Sequence, residues 1–333
     1  MNEDSRSWPA VSVIMPVLNE ERHLTAAVTR VLEQDYPGEL ELVIALGPSS
    51  DRTSEIAQCL AEADARVRLV ENPVGRTPNG LNAAIKASRY DIVVRVDGHG
   101  MLSGGYIRRA VEVLQETGAA NVGGTMQAEG ETDFERAVAC AMTSPLGIGS
   151  AAFHVGGDAG SADTVYLGVF RRDVLDRLGG YDEHFVRAQD WELNYRIRRA
   201  GELIWFTPEL KVTYRPRPNL RALASQFFRS GQWRREVVRR YPETANLRYL
   251  APPSVVVAAG LGTVAGVAGL VGAPGWLTLG WLLPGGYAAG VVIAGLVEGH
   301  SLPTKAKAWL PAVIATVHLS WGAGFLASRS KNR

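Results

Sequence analysis

The sequence predicts an α/β domain with a Rossmann-like, mostly parallel open sheet, followed by C-terminal transmembrane helices. Short apolar runs alternate with segments of helical apolar spacing up to Val96, which is the order that parallel strands and crossover helices produce. The composition changes near Leu250, because Ala251–Gly272 and Ala273–Val297 contain no charged side chain. These observations divide the 333 residues into an α/β part large enough for its own core and an apolar part.

The elements of the first part follow one another at a regular pitch. The predicted strands are Val11–Val17, Leu40–Leu46, Val67–Val70 and Ile92–Val96, and the helices between them are Leu24–Leu32, Thr53–Ala63 and Pro78–Ser88. Such strands pair in parallel through right-handed crossovers. Farther on we predict helices at Phe134–Met142, Asp173–Leu178 and Asp190–Ala200, and strands at Thr164–Phe170 and Leu203–Phe206.

The second part predicts membrane association. Three stretches of about 20 apolar residues have the length that crosses a hydrocarbon layer, although a buried hairpin of soluble Gly- and Ala-rich helices is the alternative. Before them, Asn219–Arg240 predicts an arginine-rich amphipathic helix at the membrane surface, with its aromatic side in the headgroup boundary. The predicted domains are therefore residues 1–218, 219–250 and 251–333.

Charge predicts the orientation of the chain. Arginines are concentrated before the first apolar stretch, which favours a location in the inner membrane with the N-terminal domain in the cytoplasm. Three complete spans would then put Arg329, Lys331 and Arg333 on the outer side, against the same bias, so the number of spans stays open at two or three. The net charge of +1 gives no indication of a nucleic-acid partner.

Asp97 and His99 form the first candidate site. They flank Gly98 directly after the fourth predicted strand, and ligands bind beyond the carboxyl ends of such strands. A carboxylate and an imidazole suit Mn²⁺ or Mg²⁺, and the nitrogen ligand favours Mn²⁺. The plain alternative is a strand-ending turn with a solvated aspartate, but the position at the strand end favours a metal site.

Asp190 forms the second candidate site, at the start of a predicted helix. A carboxylate there can simply cap the helix. It can also act as a general base that removes a proton from a hydroxyl. Glu192 is the rival base nearby.

Five segments carry a resemblance to a known family. They are Ser12–Glu20, Asp97–His99, Gly179–Glu183, Gln189–Asn194 and Gln226–Arg229. In this order they resemble family 2 glycosyltransferases of the GT-A fold, over about Val11 to Leu250. The segments Arg95–His99, Gly168–Arg172 and Phe228–Pro242 are most similar to the succinoglycan-biosynthesis ExoA-like branch.

The resemblance implies an inverting transferase that moves one sugar from a nucleotide-sugar donor to a membrane acceptor, commonly a polyprenyl-diphosphate-linked saccharide, in cell-surface polysaccharide assembly. It implies a divalent cation, Mn²⁺ or Mg²⁺, at Asp97 and His99, and a catalytic base at Asp190. The implied nucleotide-sugar-binding residues are Pro16, Asn19, Glu20, Asp51, Arg76, Asn79, Asn82, Asp97, Gln226, Arg229 and Trp233. The implied acceptor-binding residues are Gly168, Arg171, Gly179, Gly180, Trp191 and Glu192.

Three positions depart from the family pattern. Leu46-Gly47 replaces an acidic pair that contacts uracil in many relatives, and Gln189 replaces a frequent acidic residue before the base. Ser230 stands where processive synthases carry tryptophan, which favours transfer of a single sugar. Two alternatives stay open, namely a polyprenyl-monophosphate sugar synthase and a catalytically degenerate membrane scaffold.

Overall fold

The structure is a computed structural model that describes residues 8–149 and 151–328, and the chain divides into two compact units. The first unit comprises Met1–Gln127 and Ala151–Tyr214, and the second comprises Ala128–Ser150 and Arg215–Arg333. The division differs from the predicted boundary at residue 218 chiefly in the segment 128–150. That segment groups with the second unit because its helix packs against the last helix of the chain.

Nine strands and twelve α-helices lie within the described residues. The strands are β1 (Val11–Val17), β2 (Leu40–Leu46), β3 (Val67–Glu71), β4 (Ile92–Arg95), β5 (Met101–Leu102), β6 (Asn121–Ala128), β7 (Gly160–Ser161), β8 (Tyr166–Arg171) and β9 (Ile204–Tyr214). The helices are α1 (Leu24–Leu32), α2 (Thr53–Ala63), α3 (Thr77–Ala87), α4 (Tyr106–Thr117), α5 (Asp133–Met142), α6 (Ala152–Val155), α7 (Arg172–Leu178), α8 (Gln189–Arg199), α9 (Leu220–Arg240), α10 (Leu247–Leu270), α11 (Leu282–Glu298) and α12 (Thr304–Ala327).

The strands form one sheet in the order β3-β2-β1-β4-β8-β6-β9-β5, with β7 beside β9. The four strands from β1 to β4 are parallel, as predicted. Beyond β4 the pairing becomes antiparallel, first to β8 and then from β8 to β6. The elements β5, α4 and β6 were not predicted. Within α4, Ile107, Val111 and Leu114 nevertheless have helical spacing and are buried.

The first unit is a three-layer structure because alternate residues of its central strands are buried on opposite faces. Val13 and Met15 of β1 belong to the cluster that contains Leu24 of α1. Ile14, between them, belongs to the cluster that contains Leu81 of α3 and Leu193 of α8. This core fixes the carboxyl ends of the parallel strands at one edge of the sheet.

The second unit consists of α5 and α9 to α12. Three of its segments are long and apolar enough to cross a membrane, namely Leu247–Leu270, Gly275–Ser301 and Thr304–Ala327, and the second of these joins a 3-10 helix, Gly275–Trp281, to α11. These segments match the three predicted apolar stretches.

The aromatic side of α9 faces protein and not lipid, in contrast to the prediction. Phe227 and Trp233 are buried, 5% and 8% exposed, and α9 packs closely on α12. The backbones nearly touch, since an added Cβ at Gly231 would lie 2.0 Å from the carbonyl oxygen of Trp321. The close contact with α12 therefore takes up the surface that an interfacial helix would offer to the headgroups.

Candidate active site

The loops after β1 and β2 are joined by hydrogen bonds. The Asn19 carboxamide oxygen accepts from the Ser50 backbone at 2.8 Å, and the Glu20 amide donates to Thr53 Oγ1 at 2.7 Å. Asp51 accepts from the amide of Glu21 at 3.2 Å and from that of Thr53 at 3.0 Å. The bonds from Thr53 hold the pKa of Asp51 below its ordinary value. Asn19, Glu20 and Asp51, all predicted to bind the nucleotide, thus form one rigid loop pair.

His99 lies beside this loop pair. Its Nδ1 is 2.8 Å from Oε1 of Glu20, and the imidazole is 44% exposed. Gly98 is buried, and an added Cβ would lie 3.0 Å from side-chain atoms of both Glu20 and Val17. The glycine is therefore required for the close approach of these two loops. A histidine oriented by a carboxylate on one ring nitrogen is the usual arrangement of a metal ligand.

Arg95 connects the two candidate sites. Its Nε and Nη2 donate to Oδ1 of Asp97 at 3.2 and 3.0 Å, and its Nη1 donates to Oδ1 of Asp190. The Arg95 side chain is 3% exposed, whereas those of Asp97 and Asp190 are 24% and 32% exposed. Asp97, the predicted metal ligand, and Asp190, the predicted base, thus bind the same buried Arg95, although Asp190 lies 95 residues after Arg95 in the chain.

Arg95 was missed as a functional residue. Burial is the largest single influence on its pKa and lowers it. The charge and hydrogen bonds of Asp97, together with Tyr181 and Tyr166, raise the pKa overall, so the side chain remains a cation. The signal in the sequence is an arginine at the end of an otherwise apolar strand, Ile92–Arg95. Buried arginines are rare unless they are paired, so this position indicates an acidic partner.

Glu192 is buried beneath the site instead of lining it. Its side chain is 0% exposed, and both carboxylate oxygens accept from Arg196 at 2.7 and 2.8 Å. Arg196 in turn donates to the carbonyl oxygens of Leu178 and Gly180. This position gives no support to the predicted contact of Glu192 with the acceptor, because the pair supports the turn that precedes α8.

That turn is held from its other side by α3. Asn82 accepts from the amide of Tyr181 and donates to its carbonyl, both at 2.8 Å, and Asn79 donates to Glu183 at 2.5 Å. Gly180 has a φ of 68°, and an added Cβ would lie 2.6 Å from the Asn82 carboxamide oxygen. The predicted nucleotide-binding residues Asn79 and Asn82 thus position the loop that leads to Asp190.

Arg171 lies away from the site. It pairs with Ile92 at the opposite end of β4, because β8 is antiparallel, and five residues of strand separate that level from Asp97, about 16 Å. Its guanidinium binds Asp173 at 3.0 and 2.8 Å. Gly168 is buried within β8, where an added Cβ would lie 2.3 Å from Oδ1 of Asn121. These positions give no support to the predicted contact of Arg171 and Gly168 with the acceptor.

The remaining predicted residues of the first unit lie around the strand ends. Pro16 is half-buried in β1, and Arg76 is exposed at the start of α3. The buried Asn72 donates to the Arg76 carbonyl at 3.2 Å, and its Oδ1 has no partner among the described residues. Asn72 was not predicted, and it leaves one buried acceptor for a ligand at this edge. Trp191 stacks on Tyr195 at 5.5 Å.

The other three predicted nucleotide-binding residues belong to α9 in the second unit. Gln226 accepts from Arg217 at 2.8 Å, Arg229 is exposed, and Trp233 is buried. The buried position of Trp233 indicates that its ring packs in the protein core.

The chain is similar to known proteins over most of its length. The family described as "Glycosyl transferase family 2" matches residues 12–179. The succinoglycan biosynthesis protein ExoA of Rhizobium meliloti is 31% identical over 329 residues, 98% of this chain and 96% of that protein. A relative from Methanococcus voltae is 23% identical over 69% of this chain and 74% of its own length. Its name is dolichyl N-acetyl-alpha-D-glucosaminyl phosphate 3-beta-D-2,3-diacetamido-2,3-dideoxy-beta-D-glucuronosyltransferase.

Two solved structures share the architecture. The mannosyltransferase PcManGT from Pyrobaculum calidifontis, in complex with GDP-Man and Mn²⁺, has a TM-score of 0.57 at 20% identity, covering 94% of this chain and 89% of that one. S. aureus TarS, residues 1–349 in complex with UDP, has a TM-score of 0.50 at 15% identity, covering 92% and 90%. At these identities the likeness concerns the fold, and it confirms the predicted fold class.

Proposed function

The chain belongs to glycosyl transferase family 2 and is a glycosyltransferase, and on that basis we propose that it is inverting, metal-dependent and non-processive. The proposed donor is a nucleotide sugar, and the proposed acceptor is a lipid-linked saccharide of the polyprenyl-diphosphate kind, in cell-surface polysaccharide assembly. The observation that carries the proposal is the contact of Arg95 with both Asp97 and Asp190. An inverting transfer needs a leaving-group site and a base within the span of one sugar.

The named relatives support the choice of substrates. The name of ExoA connects that protein with succinoglycan biosynthesis, and the name of the relative from Methanococcus voltae connects it with a sugar on dolichyl phosphate. PcManGT was solved with GDP-Man and Mn²⁺. These observations support a nucleotide sugar, a divalent cation and a lipid-borne acceptor for this chain.

The chemistry of the donor set fits a divalent cation. Asp97 and His99 would hold the cation. Oδ1 of Asp97 accepts both hydrogen bonds that Arg95 donates to this carboxylate. No group of three His, Cys, Asp or Glu side chains that could bind a metal lies within residues 8–149 and 151–328, so the diphosphate itself would supply further oxygens. Bound there, the cation would neutralise charge on the leaving diphosphate.

Asp190 acts on the other reactant. Arg95 fixes one of its carboxylate oxygens and compensates its charge, so the carboxylate is oriented before the acceptor binds. Asp190 then removes the proton from the attacking hydroxyl, and a single attack opposite the leaving group inverts the anomeric carbon. Glu192 does not offer a second nucleophile for double displacement, because it is buried against Arg196.

We place the enzyme at the inner membrane with its catalytic unit in the cytoplasm. The support is the cluster of arginines from Arg215 to Arg248, which extends to the first turn of the apolar helix α10. The acceptor would then reach the enzyme without leaving the bilayer.

The proposal is tested with full-length protein in detergent, assayed against UDP-, GDP- and dTDP-sugars with Mn²⁺ or with chelator. We expect one donor to be used, chelator to abolish transfer, and the product to have inverted anomeric configuration by NMR. Asp190→Asn should lower kcat by at least about 10³-fold, because the base is lost. Asp97→Asn should raise the Mn²⁺ concentration needed for half-maximal rate.

Two results would contradict the proposal. Near-normal turnover of Asp190→Asn would favour the polyprenyl-monophosphate synthase, whose phosphate acceptor needs little deprotonation. Absence of both transfer and metal-dependent hydrolysis with every donor would favour the degenerate scaffold.

A further inference from the structure

The start of α10 and the end of α12 lie side by side. An added Cβ at Gly322 would lie 2.5 Å from the carbonyl oxygen of Pro252 and 2.9 Å from the side chain of Val256. The rings of Tyr249 and Trp321 stack at 6.5 Å. Pro252 and Gly322 each lie five residues from the end of their helix, about 8 Å. The chain therefore enters and leaves the apolar region at one place.

This contact fixes the parity of membrane crossings. A hydrocarbon layer is about 30 Å thick, so two points in van der Waals contact lie on the same side of it or at the same depth. The number of complete crossings between Pro252 and Gly322 is then even. Three crossings, the number that length and composition allow, would separate these points by the full layer.

The helix that does not cross is α12, because α9 and the segment 128–150 cover one side of it. The ring centroids of Trp309 and of Phe134 in α5 are 5.5 Å apart. Nε2 of His318 lies 2.9 Å from the carbonyl oxygen of Leu146. The covering segment 128–150 carries five charged side chains, Glu129, Glu131, Asp133, Glu135 and Arg136. The segment 128–150 continues in the chain into the first unit at both of its ends, so its two ends lie on the same side of a bilayer.

The end of α12 is covered in the same way by α9. Arg235 donates to the carbonyl oxygen of Phe325 at 3.3 Å, and Arg239 donates to that of Ser328 at 2.5 Å. These arginines satisfy carbonyl groups at the C-terminus of α12, where a cation also complements the helix dipole. A helix that packs on one side against a segment with five charged side chains does not fit a passage through hydrocarbon.

The other two apolar segments are exposed where α12 is covered. In the most apolar 18 residues of each segment, only 17% of α10 and 11% of Gly275–Ser301 are buried, whereas 39% of α12 is buried. Large exposed apolar side chains occur along both segments: Leu261, Val264, Leu270, Leu282, Ile293 and Val297. An uncharged surface of this size fits the hydrocarbon of a bilayer.

We propose that the bilayer contacts α10 and Gly275–Ser301 only, that α12 is a non-crossing helix, and that α12 begins and ends on the face of the membrane that carries the catalytic unit. Arg329, Lys331 and Arg333 lie outside the described residues, but they closely follow α12 in the chain, so the proposal puts their charges on the side of the arginines that precede the apolar region. The positive charges that flank the apolar region thus all obey the positive-inside bias.

The test is the sidedness of single cysteines in the full-length chain. The exposed native Cys59 marks the catalytic unit when Cys140 is replaced by alanine. In a chain without Cys59 and Cys140, Lys305→Cys marks the start of α12, and a cysteine added after Arg333 marks its end. Each protein is exposed to a membrane-impermeant maleimide in sealed vesicles of known orientation. We expect all three cysteines to react from the same face.

A control position separates this proposal from the membrane association on which it rests. Pro274→Cys, in the connection after α10, should not react from the face that labels Cys59. Reaction of Pro274→Cys from that face, or loss of the protein from vesicles in a high-salt wash, would refute insertion itself. Reaction of Lys305→Cys or of the added cysteine only from the opposite face, or only after detergent, would refute the non-crossing α12.

Discussion

Arg95→Lys is the sharpest test of the proposed site, because it retains the positive charge and removes the forked geometry. The arginine reaches Asp97 through Nε and Nη2 and Asp190 through Nη1. An ammonium group is a single point donor and cannot hold two carboxylates in fixed positions. We expect kcat to fall about 10²-fold, since a misplacement of about 1 Å in a reacting group costs that much.

A second variant, Arg95→Met, measures how much the ion pairs of Arg95 contribute to stability, separately from kcat. Removing one partner of a buried ion pair costs about 3–5 kcal/mol, and the low end applies because Asp97 and Asp190 are 24% and 32% exposed to water. For a unit of roughly 190 residues, about 3 kcal/mol corresponds to a fall in Tm of about 6–12 °C. Arg95→Lys should lose about 1 kcal/mol, or about 2–4 °C.

Arg172→Lys is the matched control. Arg172 also makes three hydrogen bonds, to the carbonyl oxygens of Tyr90 and Ile85 and to Ser88 Oγ, but it lies at the opposite end of β4. Its lysine variant should lose a similar part of the Tm and retain kcat within about threefold. Tm is measured by intrinsic fluorescence in detergent, and kcat by nucleotide release. Equal kcat for the two lysine variants would refute the idea that Arg95 positions the reacting groups.

Two further predictions concern residues outside the reacting groups. Glu192→Gln should lower stability by about 3 kcal/mol, because the partly buried Arg196 loses its counter-charge. The kcat of the folded protein should change less than about fivefold, and a loss as large as that of Asp190→Asn would make Glu192 the base. Burial lowers the pKa of His154 to about 4, whereas the unfolded chain takes up this proton below about 6.5. Stability should therefore fall as the pH decreases from 6.5 to 4, and His154→Gln should weaken this dependence in Tm measurements; an unchanged pH profile would contradict it.

Much of the first unit could be predicted because its signals are local. The strands β1 to β4 and the helices between them follow from apolar periodicity and turn residues within ten positions of each other. The polar residues at the strand ends could be predicted for the same reason, since parallel strands place their carboxyl ends at one edge. Asn19, Glu20, Asp51 and His99 are indeed found together there.

The sequence did not determine positions that depend on the direction of a strand or on the face of a helix. Arg171 follows a strand as Asp97 does, but β8 is antiparallel and puts it at the opposite end of β4. Glu192 and Asp190 lie two residues apart on α8, which is far enough around a helix to point one into the core and the other toward Arg95. No local pattern distinguishes these outcomes.

The sequence by itself determined the parallel half of the sheet, the two acidic candidates and the apolar character of the last 80 residues, because each of these is a property of neighbouring residues. The tertiary structure alone decided that one buried arginine joins Asp97 to Asp190, and that α12 is covered by α5 and α9. These facts depend on contacts between residues 95 to more than 170 positions apart, such as Arg95 with Asp190 and Leu146 with His318. Such contacts are set by strand order and helix packing, on which local periodicity carries no information.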